Sequence, residues 1–371
     1  MKILEGFGML IGVVIGAGLF GLPASFSKAP LHWNLALFAG VFLLSLLLHY
    51  LLASIVYITP GKHRFPGYVQ KYLGQRAETI ATIFTILSSY GAMLAYGVLG
   101  ALFLQNIFGI SFLAGGVAFF ILGGFLFFLS LQEVGKINFY LTLPLLAFIL
   151  ILAAKLFPHI HGENFLAAGE RSWFLAYGIL VFAFGGYSAL PDLHDILGHA
   201  SRLIFKRIIF WTLFVSGIFY LIFIFSVLGV AGKAVTQEAL SGLGSYLGRG
   251  VAVIGSLIGI FTVFRAYVGF GSGLKLMLHY DYNISKRMGW LLAFLPPVLL
   301  FLTGFVDLVE ILSIVGSVGL GIFAVFILLM AWKKKNEVSA FLGFTPRAWW
   351  LLPLGILIVL GALQDIISVY F

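Results

Sequence analysis

The chain consists of long apolar stretches separated by short loops that hold nearly all of its charged residues. A helix needs about 20 apolar residues to cross the roughly 30 Å hydrocarbon core of a membrane. Eleven stretches approach or exceed that length, and they predict an all-α polytopic membrane protein. Their approximate ranges are 4–27, 33–58, 77–106, 112–130, 138–157, 173–197, 204–231, 246–279, 289–303, 308–332 and 349–370.

The composition agrees with this pattern, since 61% of the 371 residues are hydrophobic and only 9% are charged. A water-soluble domain carries about 25% charged residues. We therefore expect one transmembrane domain over residues 1–371, with no separate soluble part. The first 25 residues also resemble a signal peptide, with Lys2 before an apolar run and Ala24-Ser25 after it. Glycines interrupt that run, which favours a first membrane span.

The net charge of +9 follows from topology. Lysine and arginine are enriched in the cytoplasmic loops of membrane proteins. If the N-terminus is cytoplasmic, one of the 22 basic residues, Arg265, lies inside a span. Sixteen others fall on the cytoplasmic side, and five fall outside, namely Lys28, Lys155, Arg171, Lys233 and Arg249. We therefore expect a cytoplasmic N-terminus, an external C-terminus and no nucleic-acid partner.

Two of the predicted spans are interrupted in the same way. The first contains Ile15-Gly16-Ala17-Gly18-Leu19-Phe20-Gly21-Leu22-Pro23, and the sixth contains Ala183-Phe184-Gly185-Gly186-Tyr187-Ser188-Ala189-Leu190-Pro191. Glycine weakens a helix, and proline removes a backbone donor and clashes with the preceding turn. Backbone that unwinds at membrane depth is tolerated where it lines a cavity or is buried in protein.

Each break alone also fits ordinary close packing at glycines and a kink at proline. Two matching breaks five helices apart are the pattern of an inverted repeat with a binding site at its centre. We expect a first repeat over about 4–157, a second over about 173–332, and an added helix over about 349–370. Freed N–H groups at such breaks suit a carboxylate, and freed carbonyls suit a cation or an ammonium group.

These motifs resemble those of a known superfamily. The first span resembles the opening helix of the amino acid/polyamine/organocation superfamily. The sixth, from Phe182 to Pro191, resembles the equivalent helix of the amino acid/auxin permeases and of the bacterial tyrosine/tryptophan permeases. The stretch from Phe261 through Gly269 to Leu274 resembles the eighth helix of the latter group. The specific motifs cover about 40 residues, and the pattern of helices extends the likeness over the whole chain.

The resemblance implies a leucine-transporter-like fold that works by alternating access, with an amino acid bound at mid-membrane between the first and sixth helices. The substrate carboxylate would meet the backbone of Gly16, Ala17 and Gly18. The ammonium group would meet carbonyls near the second break, which includes Ala183, Phe184, Gly185 and Gly186. Aromatic substrates are expected only from the likeness to tyrosine/tryptophan permeases.

The third span supplies candidate pocket walls in Ser88, Ser89, Tyr90 and Tyr96. In the sixth span, the side chains of Phe184 and Tyr187 are candidates to contact the substrate. Ordinary aromatic packing explains Phe184 and Tyr187 equally well in so aromatic a chain.

Arg265 and Ala266 depart from the resemblance. Sodium-coupled members of this fold carry a pair of hydroxyl residues in the eighth helix, and this chain has Arg265 and Ala266 there. An arginine inside a span must find interior partners. We hypothesise that its guanidinium bonds to the freed carbonyls of the first helix and replaces sodium. The alternative is a structural arginine beside a water-filled vestibule.

Proton coupling needs a titratable group, and no carboxylate lies centrally in a predicted span. The candidates are Asp192 and Asp195, which follow Pro191, and His49 in the second span, which titrates near neutral pH when exposed. Helix capping also explains an acidic residue at a helix start. A buried neutral histidine bonded to a carbonyl equally explains His49. Proton symport, exchange and facilitated diffusion all remain open.

No metalloprotease, phosphate-loop or catalytic-triad pattern occurs, and there is no cysteine, so we expect no enzyme activity, cofactor or metal site. The leading interpretation is a secondary amino acid permease in the inner membrane of a prokaryote, with an amino acid, the lipid bilayer and, in a symporter, H⁺ as partners. A carrier or exchanger of amines or organic cations is an alternative, as is a nutrient sensor on the same fold. The oligomeric state is open.

Overall fold

The computed structural model describes residues 2–61, 63–128, 131–166, 173–198 and 201–370, and it is helical throughout these ranges apart from turns and short loops. Short 3₁₀ turns and one π-helical stretch, Val315–Leu320, connect some of the α-helices. In chain order the α-helices are α1 (Lys2–Val14), α2 (Gly18–Phe26), α3 (Leu31–Ile58), α4 (Phe65–Leu73), α5 (Gln75–Phe108), α6 (Phe112–Phe125), α7 (Leu131–Leu156), α8 (Leu175–Ala183), α9 (Leu190–Leu197), α10 (Arg202–Ala231), α11 (Gly244–Leu247), α12 (Arg249–Tyr282), α13 (Lys286–Leu302), α14 (Leu308–Ile314), α15 (Gly321–Lys333), α16 (Lys335–Leu342) and α17 (Ala348–Tyr370).

Each of the eleven predicted spans contains a helix or an interrupted helix. Within the described residues, seven helices are long and apolar enough to cross a membrane, and the bent pair α1 and α2 gives an eighth. The other three predicted spans correspond to α6, to the broken pair α8 and α9, and to α13, which are shorter. The count of eleven spans therefore stays a prediction. Residues 129 and 130 of the fourth predicted span lie outside the described residues.

Capping side chains mark where several helices begin. Ser111, Ser201 and Ser285 each accept a hydrogen bond from the backbone N–H three residues later, at 3.3, 3.4 and 3.3 Å. Asp307 does the same for the N–H of Glu310, at 3.0 Å. These oxygens satisfy first-turn donors that have no partner within the helix. The loop sequences thus fix the helix boundaries locally.

The distribution of side chains is that of a protein dissolved in lipid. Large apolar residues are exposed around the outside, for example Leu43, Phe125, Trp211, Phe261 and Leu357. Several polar residues are buried in the interior, including Ser45, His49, Arg265 and Asp365. In hydrocarbon, polar groups must bond to other protein groups. The buried polar residues therefore indicate where the functional interior lies.

The interior is centred on α5 and α12, which pack along each other, and the broken helices lie beside them. α2 packs on α8, and α8 in turn packs on α14 and the π-helical stretch. Glycines allow this last approach. A Cβ atom added at Gly316 would overlap the carbonyl oxygen of Gly178, and one added at Gly178 would overlap the carbonyl oxygen of Ser313. Backbone atoms of these segments are thus in direct contact.

This contact predicts a stability effect. Gly316→Ala should destabilise the protein by about 1–3 kcal/mol, because the new methyl group meets fixed backbone. Gly40→Ala in α3 is the matched control, since nothing lies within 4 Å of its added Cβ atom. The control should be neutral or gain up to about 1 kcal/mol from the lost glycine flexibility. Thermal unfolding of both variants in detergent is the measurement, and equal unfolding temperatures would contradict the packing described.

Candidate functional site

The first span breaks at the predicted glycines. α1 ends at Val14, α2 starts at Gly18, and the two axes are bent by 47°. The N–H groups of Gly16 and Ala17 make no backbone hydrogen bond within the described residues. Gly18 opens α2, and the first N–H groups of a helix have no intrahelical acceptor. Three consecutive amides at a helix start are therefore available to an anionic group.

The second break is longer. α8 ends at Ala183, a 3₁₀ turn covers Tyr187–Ala189, and α9 begins at Leu190. Gly186 has a φ of +134°, a conformation that residues with a side chain rarely adopt. Pro191 is the second residue of α9, where a missing N–H costs no hydrogen bond. The sequence thus unwinds the chain with glycines and restarts the helix with proline.

The two breaks touch each other. A Cβ atom added at Gly18 would lie 2.7 Å from the Cα atom of Ala183, so the start of α2 rests directly on the end of α8. The hydroxyl oxygen of Tyr220, on α10, lies 2.8 Å from the carbonyl oxygens of both Val14 and Ala183. Its single hydrogen is shared between the last carbonyls of α1 and α8. Tyr220 is fully buried, and sequence reasoning missed it because nothing in its local pattern marks it.

Arg265 lies at the first break, as the sequence hypothesis required. It is only 5% exposed, and its Nη2 atom donates to the carbonyl oxygen of Ile15 at 3.1 Å. That carbonyl lies just past the C-terminus of α1, where the helix dipole favours a positive charge. Ala266 is partly exposed beside it. The arrangement provides a fixed cation at the unwound first helix, and whether it replaces sodium remains a hypothesis.

α3 supplies polar groups to the second break. The Ser45 hydroxyl donates to the Phe184 carbonyl oxygen at 2.7 Å. His49 is fully buried, its Nδ1 atom lies 2.8 Å from the Ser45 carbonyl oxygen, and its ring is 4.4 Å from that of Tyr187. Because a carbonyl only accepts, we assign the His49 ring proton to Nδ1. The geometry is therefore that of a neutral histidine bonded to backbone.

Aromatic rings line the space next to Gly16. A Cβ atom added there would lie 3.9 Å from the Tyr96 hydroxyl oxygen. The Tyr96 ring lies 6.5 Å from that of Phe182 and 5.7 Å from that of Phe270. Phe182 and Phe270 are partly exposed although they face the protein interior, which indicates an accessible space between α5, α8 and α12. We call Tyr96, Phe182 and Phe270 the aromatic group.

Two of the candidate pocket residues face elsewhere. The Phe184 ring packs against Phe38, Phe42 and Tyr220 at 5.2, 5.7 and 5.3 Å, so this side chain fills the core. Tyr90 donates to the carbonyl oxygen of Leu292 on α13 at 2.8 Å. It is six residues from Tyr96, which puts it on another face of α5.

The two serines of α5 are also away from the break. Ser89 bonds to the Thr85 carbonyl oxygen at 2.7 Å. It shares a face with Tyr96 but lies about 10 Å further along the helix. Ser88 is buried against the position where Gly319 would carry a side chain. Of the four candidates on α5, only Tyr96 reaches the first break, and the role of α5 as a pocket wall stays a prediction.

Asp192 lies at the protein surface. Its carboxylate pairs with Arg64 at 3.1 Å, and both side chains are more than 40% exposed. Exposed pairs of this kind contribute about 0–1 kcal/mol to stability. Asp195, also on α9, is exposed. Neither carboxylate reaches the breaks, so their proposed coupling role gains no geometric support.

Within the described residues two carboxylates are buried, Glu238 at 3% exposure and Asp365 in α17 with no exposed surface, and Asp365 is the one that lies within a long apolar helix. Both of its oxygens lie within 2.8 Å of the Ser313 hydroxyl. Asp365 was not among the candidates selected from the sequence, because only the centres of the predicted spans were considered. Asp365 lies near the end of the last predicted span, six residues before the end of the sequence. The available signal was an acidic residue within an otherwise apolar helix.

The role of Tyr220 can be tested. Tyr220→Phe keeps the ring but leaves the Val14 and Ala183 carbonyls without their buried donor, which should cost about 1–3 kcal/mol of stability. The exposed Tyr246→Phe is the matched control and should leave stability unchanged. Chemical unfolding of both variants measures the difference. An unaffected Tyr220→Phe would mean that water or another group serves these carbonyls.

Comparisons with known proteins agree with this architecture. The chain is 23% identical over 382 residues to the tyrosine-specific transport system 1 of Haemophilus influenzae, covering 96% of this chain and 93% of that one. It is 25% identical over 347 residues to a tryptophan-specific transport protein of Shigella flexneri, covering 82% and 80%. The crystal structure of MhsT in complex with L-phenylalanine matches with a TM-score of 0.76 at 13% identity, over 100% of this chain and 98% of that one.

The structural match confirms the leucine-transporter-like fold expected from the sequence. The model of the tryptophan/tyrosine permease family matches residues 1–346, which is most of the chain. The expected resemblance is thereby confirmed, and so is the assignment as a multi-pass membrane transport protein rather than an enzyme. The chain belongs to the tryptophan/tyrosine permease family.

Proposed function

We propose that this permease carries aromatic amino acids, and that the substrate binds where the two helix breaks meet. The observation that carries the proposal is the direct contact of the breaks, with unbonded amides at Gly16 and Ala17 beside the aromatic group. We infer that the amides of Gly16 and Ala17 and the rings of the aromatic group face the same space. An aromatic amino acid needs both kinds of surface.

The substrate carboxylate would bind the amides of Gly16, Ala17 and Gly18, since the N-terminus of α2 carries partial positive charge. The Arg265 guanidinium, on the adjacent Ile15 carbonyl, adds a full positive charge nearby. Both features favour an anionic group at this point. They also disfavour a substrate whose only charge is positive.

The ammonium group would bind carbonyls of the second break. The Ala183 and Phe184 carbonyls already accept from Tyr220 and Ser45. A carbonyl oxygen has two lone pairs and can accept a second hydrogen bond. Gly185 follows Phe184 and precedes the turn at Gly186. Its carbonyl oxygen is a third candidate to accept a hydrogen bond from the ammonium group. Fewer carbonyls are thus free of other hydrogen bonds at the proposed ammonium site than the sequence suggested.

The substrate ring would pack against the aromatic group. Offset or edge-on ring contacts contribute about 0.5–1.5 kcal/mol each beyond the burial of apolar area. The relatives named for tyrosine and tryptophan transport support an aromatic substrate. Leucine would bury apolar area but lack the ring geometry. We therefore expect tyrosine and tryptophan to be preferred to leucine.

We further propose that transport is independent of sodium, with Arg265 as a permanent cation at the first break. The bond from its Nη2 atom to the Ile15 carbonyl supports this reading. The distribution of Lys and Arg supports a cytoplasmic N-terminus, and the bacterial relatives support the inner membrane of a prokaryote. A carrier of amines and a nutrient sensor are the competing functions.

Counterflow tests the function directly. Proteoliposomes preloaded with unlabelled tyrosine should take up labelled tyrosine and tryptophan faster than leucine, equally in sodium-free and sodium-containing buffer. Tyramine, which has the ring and the ammonium group but no carboxylate, should not compete. Stronger competition by tyramine than by tryptophan would favour an amine carrier. The absence of uptake of all three amino acids would favour a sensor.

Replacing Arg265 tests its role. Arg265→Ala removes a charge-assisted hydrogen bond of about 1.5–3 kcal/mol, so counterflow should fall about tenfold or more, or become dependent on sodium. Arg249→Ala, an exposed arginine at the start of the same helix, is the control and should transport normally. Normal sodium-independent transport by Arg265→Ala would exclude the proposed role.

A further inference from the structure

Asp365 is a buried carboxyl group that the proposed substrate site does not use. It lies on the inner face of α17, with no exposed surface, whereas Leu360, Leu363 and Ile367 of the same helix are at least half exposed. A carboxylate in a membrane interior is costly unless it is paired. An acid at an apolar contact therefore calls for an explanation, and the surroundings of Asp365 suggest one.

The hydrogen bonds around Asp365 can be counted. The Ser313 hydroxyl oxygen lies 2.7 and 2.8 Å from the two carboxyl oxygens and 3.2 Å from the Leu175 carbonyl oxygen. That hydroxyl has one hydrogen to donate and can accept as well. If Asp365 is protonated, it donates to Ser313, and Ser313 donates to Leu175. The hydrogens of Asp365 and Ser313 then each have an acceptor.

If Asp365 is ionised, neutral hydroxyl groups must stabilise its negative charge. The single Ser313 hydrogen then serves the carboxylate instead of the Leu175 carbonyl. No lysine or arginine pairs with Asp365 within the described residues. The Ser317 hydroxyl also faces the carboxyl group and can donate to it. Because Asp365 is fully buried and has no cationic partner among the described residues, the closed arrangement favours the neutral acid.

The other groups around Asp365 carry little charge. α8 presents the Tyr177 hydroxyl. On α14, Glu310 lies one turn before Ser313 and is partly exposed. The charged residue of α15 is Lys333, at the far end of that helix. Among these groups, Asp365 is the buried acid whose protonation changes the net charge of the contact between α8, α14 and α17.

The contact at Asp365 is tight and involves α8, which is one of the helices at the proposed substrate site. A Cβ atom added at Gly178 would lie 2.5 Å from a carboxyl oxygen of Asp365, which leaves no room for water between these two residues. α8 also carries the second break, eight residues after Leu175. Hydrating an ionised Asp365 requires α8, α14 and α17 to separate. Protonation removes that requirement.

Polar side chains continue from Asp365 toward the second break. Tyr177 lies over Gly361, one turn from Asp365. Tyr177, Tyr187 and Ser45 line a small cavity with room for about one water molecule. Ser45 bonds to the Phe184 carbonyl and lies 3.3 Å from His49. We call Tyr177, Tyr187 and Ser45 the hydroxyl line, because they lie between the carboxyl group and the backbone of the break.

We propose that Asp365 is the proton-binding site that couples amino acid uptake to the proton gradient, and this inference rests on the proposed permease function. Asp365 takes a proton from the outside when α8, α14 and α17 are apart. The neutral acid lets them close over the bound substrate. The proton leaves toward the cytoplasm along the hydroxyl line, and the ionised carboxylate reopens the outer contact. One proton then crosses with each substrate.

The test uses proteoliposomes with the membrane potential held at zero and the outside more acidic by one pH unit. One proton per substrate allows the wild-type protein to accumulate tyrosine by about tenfold. Asp365→Asn should keep counterflow at equal pH, because the amide resembles the neutral acid, but should lose accumulation completely. Glu163→Gln, the same change at an exposed carboxylate, is the control and should accumulate tyrosine like the wild type.

The possible outcomes separate the two proposals. Accumulation by Asp365→Asn would overturn the assignment of the proton site. Loss of counterflow or of the folded state in Asp365→Asn would also overturn it, because the closed contact would then require the negative charge of Asp365. Wild-type counterflow without accumulation would overturn the coupling inference and leave the permease. Absence of wild-type counterflow would overturn the permease function itself.

Discussion

Backbone that leaves a helix in the middle of a membrane has no water to bond, and this constraint organises the interior of the protein. Both breaks meet it with side chains from distant helices. Tyr220 serves the last carbonyls of α1 and α8, Arg265 serves Ile15, and Ser45 serves Phe184. The amides of the first break receive no such partner from the backbone. The difference leaves a surface of donors for a substrate.

The hydrogen-bond partners also determine which charged groups the proposed site would favour. Carbonyls that already accept hydrogen bonds are weaker positions for a cation, whereas free amides and Arg265 favour an anion. This asymmetry suits a carboxylate more than an amine. Arg265 also balances the C-terminal dipole of α1, which helps to explain how an arginine is tolerated there. The site and the stability of the broken helix thus depend on the same contacts.

The breaks could be read from the sequence because glycine and proline act locally on the backbone. The partner of Arg265 could also be anticipated, since a buried cation needs carbonyls and the first break frees them. Tyr220 and Ser45 could not, because each bond joins residues at least 37 positions apart and depends on helix rotation. Helix phase also explains why Tyr90 faces α13 although Tyr96 reaches the first break. Asp365 was overlooked because sequence position near a chain end says little about burial.

The most direct test of the central claim is an experimental structure with tyrosine bound, determined in sodium-free lipid nanodiscs. The account predicts the tyrosine carboxylate within hydrogen-bonding distance of the Gly16–Gly18 amides and the ring against Tyr96, Phe182 and Phe270. Tyrosine bound away from the two breaks would contradict it. So would a tyrosine whose ammonium group, rather than its carboxylate, faces the start of α2.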